Sequence, residues 1–301
     1  MSSLASPRAA PAGADPAWPA QPLHHLDALW IQVAGTLCNL SCTHCFVSCG
    51  PGDLHHALMS RDEVSARVRE GLALGVREFY FTGGEPFMHP AMLEVLEDTL
   101  PFAPCTVLTN GTLFTRERLA RLRQMREASR YSLEIRVSLD GATADEHDRF
   151  RGPGSFANAL EGLRGLEANG MLPIVTATHS TDEDELSFRT RYLELLRSAG
   201  LARPRLKVLP MFRLGRETTR SRDYEAFETL RDLPAEAFDP QRLQCGHCRA
   251  VTAKGVFVCP LLVDEPDGRL GDRLADARAP YRLSHGACYT CYVTGMTCAN
   301  G

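Results

Sequence analysis

The chain has 301 residues, 44% of them hydrophobic and 23% charged, with a formal net charge of -4. That length holds one large α/β domain plus a small module, and the apolar fraction suffices for a core. The weak negative charge offers no field to draw in nucleic acid, and no run approaches the roughly 18 consecutive apolar residues of a membrane span.

In chain order, the first 22 residues are rich in Ala and Pro with a single Arg and no apolar block, so residues 1–27 are expected to be a disordered tail rather than a secretory signal. Eleven cysteines at metal-ligand spacings, without an export signal, indicate metal ligation in a reducing cytoplasm. A strand at 29–34 leads into Cys38-x3-Cys42-x2-Cys45. Thiolates hold iron–sulfur clusters, and three of them on a four-iron cubane leave one iron open to a small ligand. A zinc loop is the alternative, with Cys49 or His44 as the fourth ligand.

A helix opens at Ser60 with a capping-box pattern closed by Glu63 and continues through Val64, Val68 and Leu72. After a strand at 77–82 comes Gly83-Gly84-Glu85-Pro86, whose glycines allow positive φ and close approach of backbone to a ligand. Alone, it is an ordinary strand-to-helix turn. Strands at 105–109, 133–139, 172–178 and 205–211 follow, separated by helices with core stripes at Leu119, Leu122 and Met125; Leu160, Leu163 and Leu166; and Leu186, Leu193 and Leu196. Six βα units are too few for a closed eight-stranded barrel.

Ligands in parallel α/β folds sit at the carboxyl ends of strands, and each marked segment lies there. Asn110 follows the third strand. Ser138 and Asp140 end the fourth, where alternation lets both point inward, although Asp140-Gly141 is also a turn signature. His179 ends the fifth. Arg151 lies in the loop near residue 150, either as a planar fork for a carboxylate or as a surface arginine. Residues 215–244 are charged and are expected to be a linker carrying a helix around Arg222 to Arg231, ending before Pro234.

From residue 245 the composition changes. Cys245-x2-Cys248, Cys259, Cys288-x2-Cys291 and Cys298 place six cysteines in the last 57 residues, with Gly255 to Pro260 reading as a hairpin strand that delivers Cys259. The spacing is too long for a simple zinc ribbon, though zinc remains an alternative. His247 and His285 are near enough in sequence to contribute a ligand. Cys49 and Cys105 read as ordinary thiols.

The Cys38, Cys42, Cys45 trio and the Gly83 to Pro86 turn together resemble the radical S-adenosylmethionine (SAM) superfamily, over about residues 29–212. The resemblance implies a partial (β/α)6 TIM-like barrel over 28–214. It implies a [4Fe–4S] cluster on Cys38, Cys42 and Cys45 whose open iron is chelated by SAM. Gly83, Gly84, Glu85 and Pro86 would lie at the SAM amino group, with Asn110, Ser138, Asp140 and Arg151 as further SAM contacts. His44 stands where the family usually has an aromatic residue covering cluster and adenine. Residues 245–301 resemble the SPASM and twitch extensions, which carry auxiliary iron–sulfur clusters. The hairpin spacing is one residue short here, the Cys291 to Cys298 spacing is one long, and a final cysteine is missing. Six thiolates fill one cubane but not two, so one or two auxiliary clusters are implied.

A one-electron reductant of flavodoxin or ferredoxin type would start the chemistry, and a 5′-deoxyadenosyl radical would take hydrogen from a substrate carbon. The expected outcome is oxidative modification (crosslinking, dehydrogenation or maturation) of a peptide or small natural-product precursor. The stretch before the barrel is too short for a peptide-recognition domain, which suggests a separate presenting partner or a small molecule. Redox-neutral epimerisation, with Cys49 as hydrogen donor, is the alternative. An iron–sulfur or zinc-bearing regulator without catalysis is the reading from another class.

Overall fold

The computed structural model describes residues 18–179 and 183–295. A two-residue strand, β1 (Ala20–Gln21), precedes β2 (Ala28–Gln32). Then α1 (Arg61–Ala73), β3 (Glu78–Thr82), α2 (Met92–Thr99), β4 (Cys105–Thr109), α3 (Arg116–Ala128) and β5 (Leu133–Ser138) alternate. Two helices, α4 (Ala144–Arg151) and α5 (Ser155–Ala168), lead to β6 (Ile174–His179), followed by α6 (Glu185–Ser198) and β7 (Arg205–Pro210). Strands β2 to β7 are parallel and adjacent in chain order, and the sheet stays open, which makes the expected partial (β/α)6 barrel. Among the described residues no helix is long and apolar enough to cross a membrane.

The helices cover the outer face with the stripes read from the sequence. In α1 the capping box of Ser60 and Glu63 forms, and Val64 and Val68 are buried. Gly71 of α1 lets the helix approach the sheet, since a Cβ there would press on Leu29 and Phe79. The stripes of α3 and α5 are buried as expected. Helix α6 differs: it buries Phe188, Tyr192 and Leu196 and leaves Leu186 75% exposed. The aromatic pair offers more apolar area at i, i+4, and the Tyr192 hydroxyl reaches the Leu139 carbonyl at 3.0 Å.

Beyond the barrel lie β8 (Cys248–Thr252), β9 (Gly255–Phe257), β10 (Arg269–Gly271), β11 (Tyr281–Arg282) and α7 (Gly286–Thr294). The hairpin before Cys259 is present as β8 and β9. Strand β8 pairs in parallel with β2, Ala28 opposite Cys248, so the cysteine-rich segment continues the barrel sheet into nine strands.

Two expectations need correction. The tail assigned to residues 1–27 is structured from residue 18: Gln21 is 1% exposed, and β1 pairs antiparallel with β11. Residues 1–17 lie outside the described residues, as does Cys298. The linker helix around Arg222 to Arg231 is absent, and the segment runs in turns. Phe227 and Leu230, which a helix would place on one face, are parted here, Phe227 being exposed and Leu230 buried. Glu228 instead folds the segment on itself by accepting from Arg213, Arg222 and the Glu225 amide.

Candidate cofactor site

The carboxyl ends of the strands open into a cavity of about 220 Å³, and the segment after the β9 hairpin adds Pro260, Leu261 and Val263 to its wall. Deeper in the barrel Trp30 and Tyr80 stack with ring centroids 4.2 Å apart. The loop after β2 brings Cys38, Cys42 and Cys45 into this cavity. Each sulfur meets an N–H donor: Leu40 N to Cys38 Sγ at 3.4 Å, Cys49 N to Cys45 Sγ at 3.3 Å, and the Arg151 guanidinium 4.0 Å from Cys42 Sγ. Burial pushes Cys38 up to about 12 and raises Cys42, which Arg151 opposes. Cys45 is lowered because the Cys49 thiol donates to it, and Cys49 is raised by the same contact. Three gathered sulfurs with their own donors fit an iron–sulfur cluster, whose thiolates accept such bonds, and loading it releases protons.

Gly83 and Gly84 line the cavity. The Gly84 amide donates to Gly35 O at 2.7 Å and the Glu85 amide to Leu37 O at 2.9 Å, which straps this turn to the cysteine loop. A Cβ on Gly84 would sit 2.1 Å from Leu37 O, so only glycine fits. Glu85 and Pro86 are buried outside the cavity lining. The Glu85 carboxylate accepts from Phe87 N, Thr109 Oγ1 and Asn110 N, tying the ends of β3 and β4 together. Asn110 then donates to Asn39 Oδ1 at 2.8 Å and lies 3.9 Å from Cys38 Sγ.

His44, Asp140 and Arg151, taken one at a time from the sequence, form a single hub in the cavity wall. Asp140 Oδ2 accepts from Arg151 Nε at 2.6 Å and faces His44 Nε2 at 2.8 Å, while Oδ1 accepts from Thr178 N at 2.8 Å. Asp140 is buried, yet the Arg151 and His44 charges hold its carboxyl well below the usual range. Arg151 is therefore no surface arginine. Ser138 also lines the cavity. His179 instead bonds Glu183 O at 2.8 Å.

Two residues escaped the sequence reading. Arg216 donates to the carbonyls of Cys42, Ser48 and Cys49 and so braces the cysteine loop. Nothing local marks it, because it stands in the charged stretch read as linker. His147 Nδ1 accepts from the Asp140 amide at 3.0 Å and sits one turn before Arg151 on α4, a spacing that could have been noticed.

All ten described cysteines are free. Cys245, Cys248, Cys259, Cys288 and Cys291 are buried in the second apolar core, which also holds Cys38 and Cys49. Burial raises Cys288 well above its ordinary value, and Cys259 and Cys245 add to the shift. Arg249, 1% exposed, donates to Ala277 O, Cys245 O and Cys248 O. Burial lowers the pKa of Arg249, and the neighbouring Cys248, Cys245 and Cys259 oppose that shift. A buried guanidinium beside several cysteines fits an anionic thiolate-bound metal centre. His247 lies 3.7 Å from Asp27, and His285 bonds Asp267 at 2.8 Å.

A family model described as the radical SAM superfamily matches residues 33–185. The chain is 33% identical over 136 residues to the antilisterial bacteriocin subtilosin biosynthesis protein AlbA of Bacillus subtilis, covering 44% of this chain and 29% of that protein. It is 32% identical over 174 residues to the AdoMet-dependent heme synthase of Methanosarcina barkeri, covering 57% and 47%. The chain thus spans half or less of either relative's length. The fold is similar to SuiB of Streptococcus suis solved with its precursor peptide SuiA, with a TM-score of 0.62 at 13% identity over 81% of this chain and 62% of that one.

Proposed function

Because the chain belongs to the radical SAM superfamily, we propose that it takes hydrogen from a carbon of a peptide substrate and leaves that substrate oxidised. The observation that carries this reading is the cavity that gathers Cys38, Cys42 and Cys45, each sulfur with its own donor, beside Gly83 and Gly84. With a [4Fe–4S] cluster on those cysteines and SAM bound, the chemistry supplied is reductive cleavage of SAM to methionine and a 5′-deoxyadenosyl radical. The chain's residues position and enclose. The Gly83–Gly84 backbone permits close approach of the SAM amino group, and Arg151, held by Asp140, keeps guanidinium N–H groups for a carboxylate. His44 is held by the same Asp140, and its ring meets Phe150 edge to face.

The peptide assignment rests on the two relatives whose names concern peptides, AlbA and SuiB with SuiA. The buried cysteines around Arg249 would hold an auxiliary cluster able to accept the electron left on the substrate. A flavodoxin- or ferredoxin-type donor and a cytoplasmic location complete the proposal. A redox-neutral epimerase is favoured by one observation, the Cys49 thiol lining the cavity, where it can return a hydrogen atom.

The test is anaerobic reconstitution with iron and sulfide, then SAM and dithionite. The enzyme should show a cubane spectrum and release 5′-deoxyadenosine, and Cys42→Ala should abolish the product. A protein that forms no cubane, or a variant that cleaves SAM as well as the parent, defeats the proposal. Solvent deuterium in a product of unchanged mass class, lost in Cys49→Ala, would select the epimerase.

A further inference from the structure

Outside the cavity, His55, His56 and Asp264 converge from two distant parts of the chain. His55 Nε2 and His56 Nε2 each lie 3.1 Å from Asp264 Oδ1, and one ligand atom from each residue falls within 4.8 Å of the others. We propose that this trio is a binding site for a divalent transition-metal ion of zinc type, joining the loop behind the first cysteine trio to the loop that follows Cys259.

Two imidazoles and a carboxylate are a donor set suited to zinc and its neighbours in the first row. Donor atoms around an ion bonded at about 2.0–2.2 Å lie about 3 Å or slightly more apart, which matches the two separations. The placement of His55 suits a cation. Asp53 Oδ1 sits 2.7 Å from His55 Nδ1 and, as a carboxylate, only accepts, so that nitrogen carries the proton. The other nitrogen points at Asp264 Oδ1. A proton or a metal ion between Nε2 and Oδ1 satisfies both atoms, and His55 and His56 share that one oxygen of Asp264. A carboxylate on the far nitrogen is also the usual support of a ligating histidine.

The arrangement is built in advance. Asp53 Oδ1 further accepts from Thr36 Oγ1 at 3.2 Å and His55 N at 3.1 Å. His56 is fastened by its amide to Thr36 Oγ1 and by its carbonyl to the Thr36 amide, two residues before Cys38. Beneath it Gly35 leaves no space, since a Cβ there would meet His56 O at 2.1 Å. His56 is buried, with its Nε2 held at Asp264 Oδ1. His55 and Asp264 are exposed, leaving room for water as a further ligand.

The test uses the full chain with its cysteines already loaded with iron and sulfide, so that thiols do not compete. After incubation with zinc and desalting, elemental analysis should find about one zinc per chain. His55→Ala, at an exposed position, should lose it while iron and sulfide stay unchanged. Asp53→Asn should weaken zinc binding about 10- to 100-fold in chelator competition. Cobalt(II) in place of zinc should give d–d bands without thiolate charge transfer. Zinc retention equal in the parent and His55→Ala, or cobalt bands of thiolate character only, overturns the proposal and leaves the trio a hydrogen-bonded latch.

Discussion

Replacing Asp140 by Asn tests the hub that joins His44, Arg151 and Thr178. The carboxylate offers Oδ2 to two side-chain donors and Oδ1 to a backbone amide. An amide has one oxygen, so whichever way Asn is turned its NH₂ group confronts a donor, and Arg151 is left charged, buried and unpaired. Breaking a buried pair from one side costs about 3–5 kcal/mol. At about 2.1 cal/mol/K per residue, the 301 residues unfold with an entropy of about 0.6 kcal/mol/K, so the Tm should fall by about 5–8 °C. The assay is anaerobic calorimetry on cluster-loaded parent and variant. Adding Arg151→Gln to Asp140→Asn removes the lone charge and should recover part of the loss. A single-variant shift under about 2 °C, or strict additivity in the double variant, would refute the reasoning.

Three further outcomes are expected. His147, 1% exposed, is lowered by burial to about 4 from an unfolded value of about 6.5. Its contribution is full above pH 6.5 and lost as pH falls toward 4, about 3 kcal/mol in all. His147→Asn, which keeps an acceptor for the Asp140 amide, should flatten that part of the stability curve measured by denaturant titration, and an unchanged slope would count against it. Gly84→Ala must displace Leu37 beside Cys38, costing about 3 kcal/mol or more and lowering bound iron after reconstitution; parental iron content would disprove the strapping. Arg249→Met removes a cation worth about 1–2 kcal/mol to an added electron at an effective dielectric of about 20. The potential of the proposed auxiliary centre should drop by about 40–90 mV in a redox titration, and an unmoved potential would remove Arg249 as a charge acting on it.

What the sequence disclosed follows from how local each signal is. The cysteine trio and Gly83-Gly84 announce themselves within a few residues because one loop and one turn carry their chemistry. The six strands were legible as apolar runs between caps. The hub was visible only as parts: Asp140 follows a strand, Arg151 ends α4 and His44 sits in the cysteine loop, and what joins them is the docking of that loop on the end of α4, where Thr43 N donates to Phe150 O at 2.8 Å. Arg216 was hidden because its partners are carbonyls, which leave no mark in a sequence. The helix expected near Arg222 does not form because ion pairs to Glu228 decide the path of the chain. Strand β8 contains Arg249, a charge at a fully buried position, and so does not read as the neighbour of β2.

The pairing of β8 with β2 bears on any attempt to cut this protein into pieces. A fragment ending after β7 would strip hydrogen-bond partners from Ala28 to Ile31 and turn a central strand into a bare rim flanked by Leu29 and Ile31. Such a rim invites edge-to-edge stacking with other copies, so the shortened chain should precipitate rather than survive as a smaller enzyme.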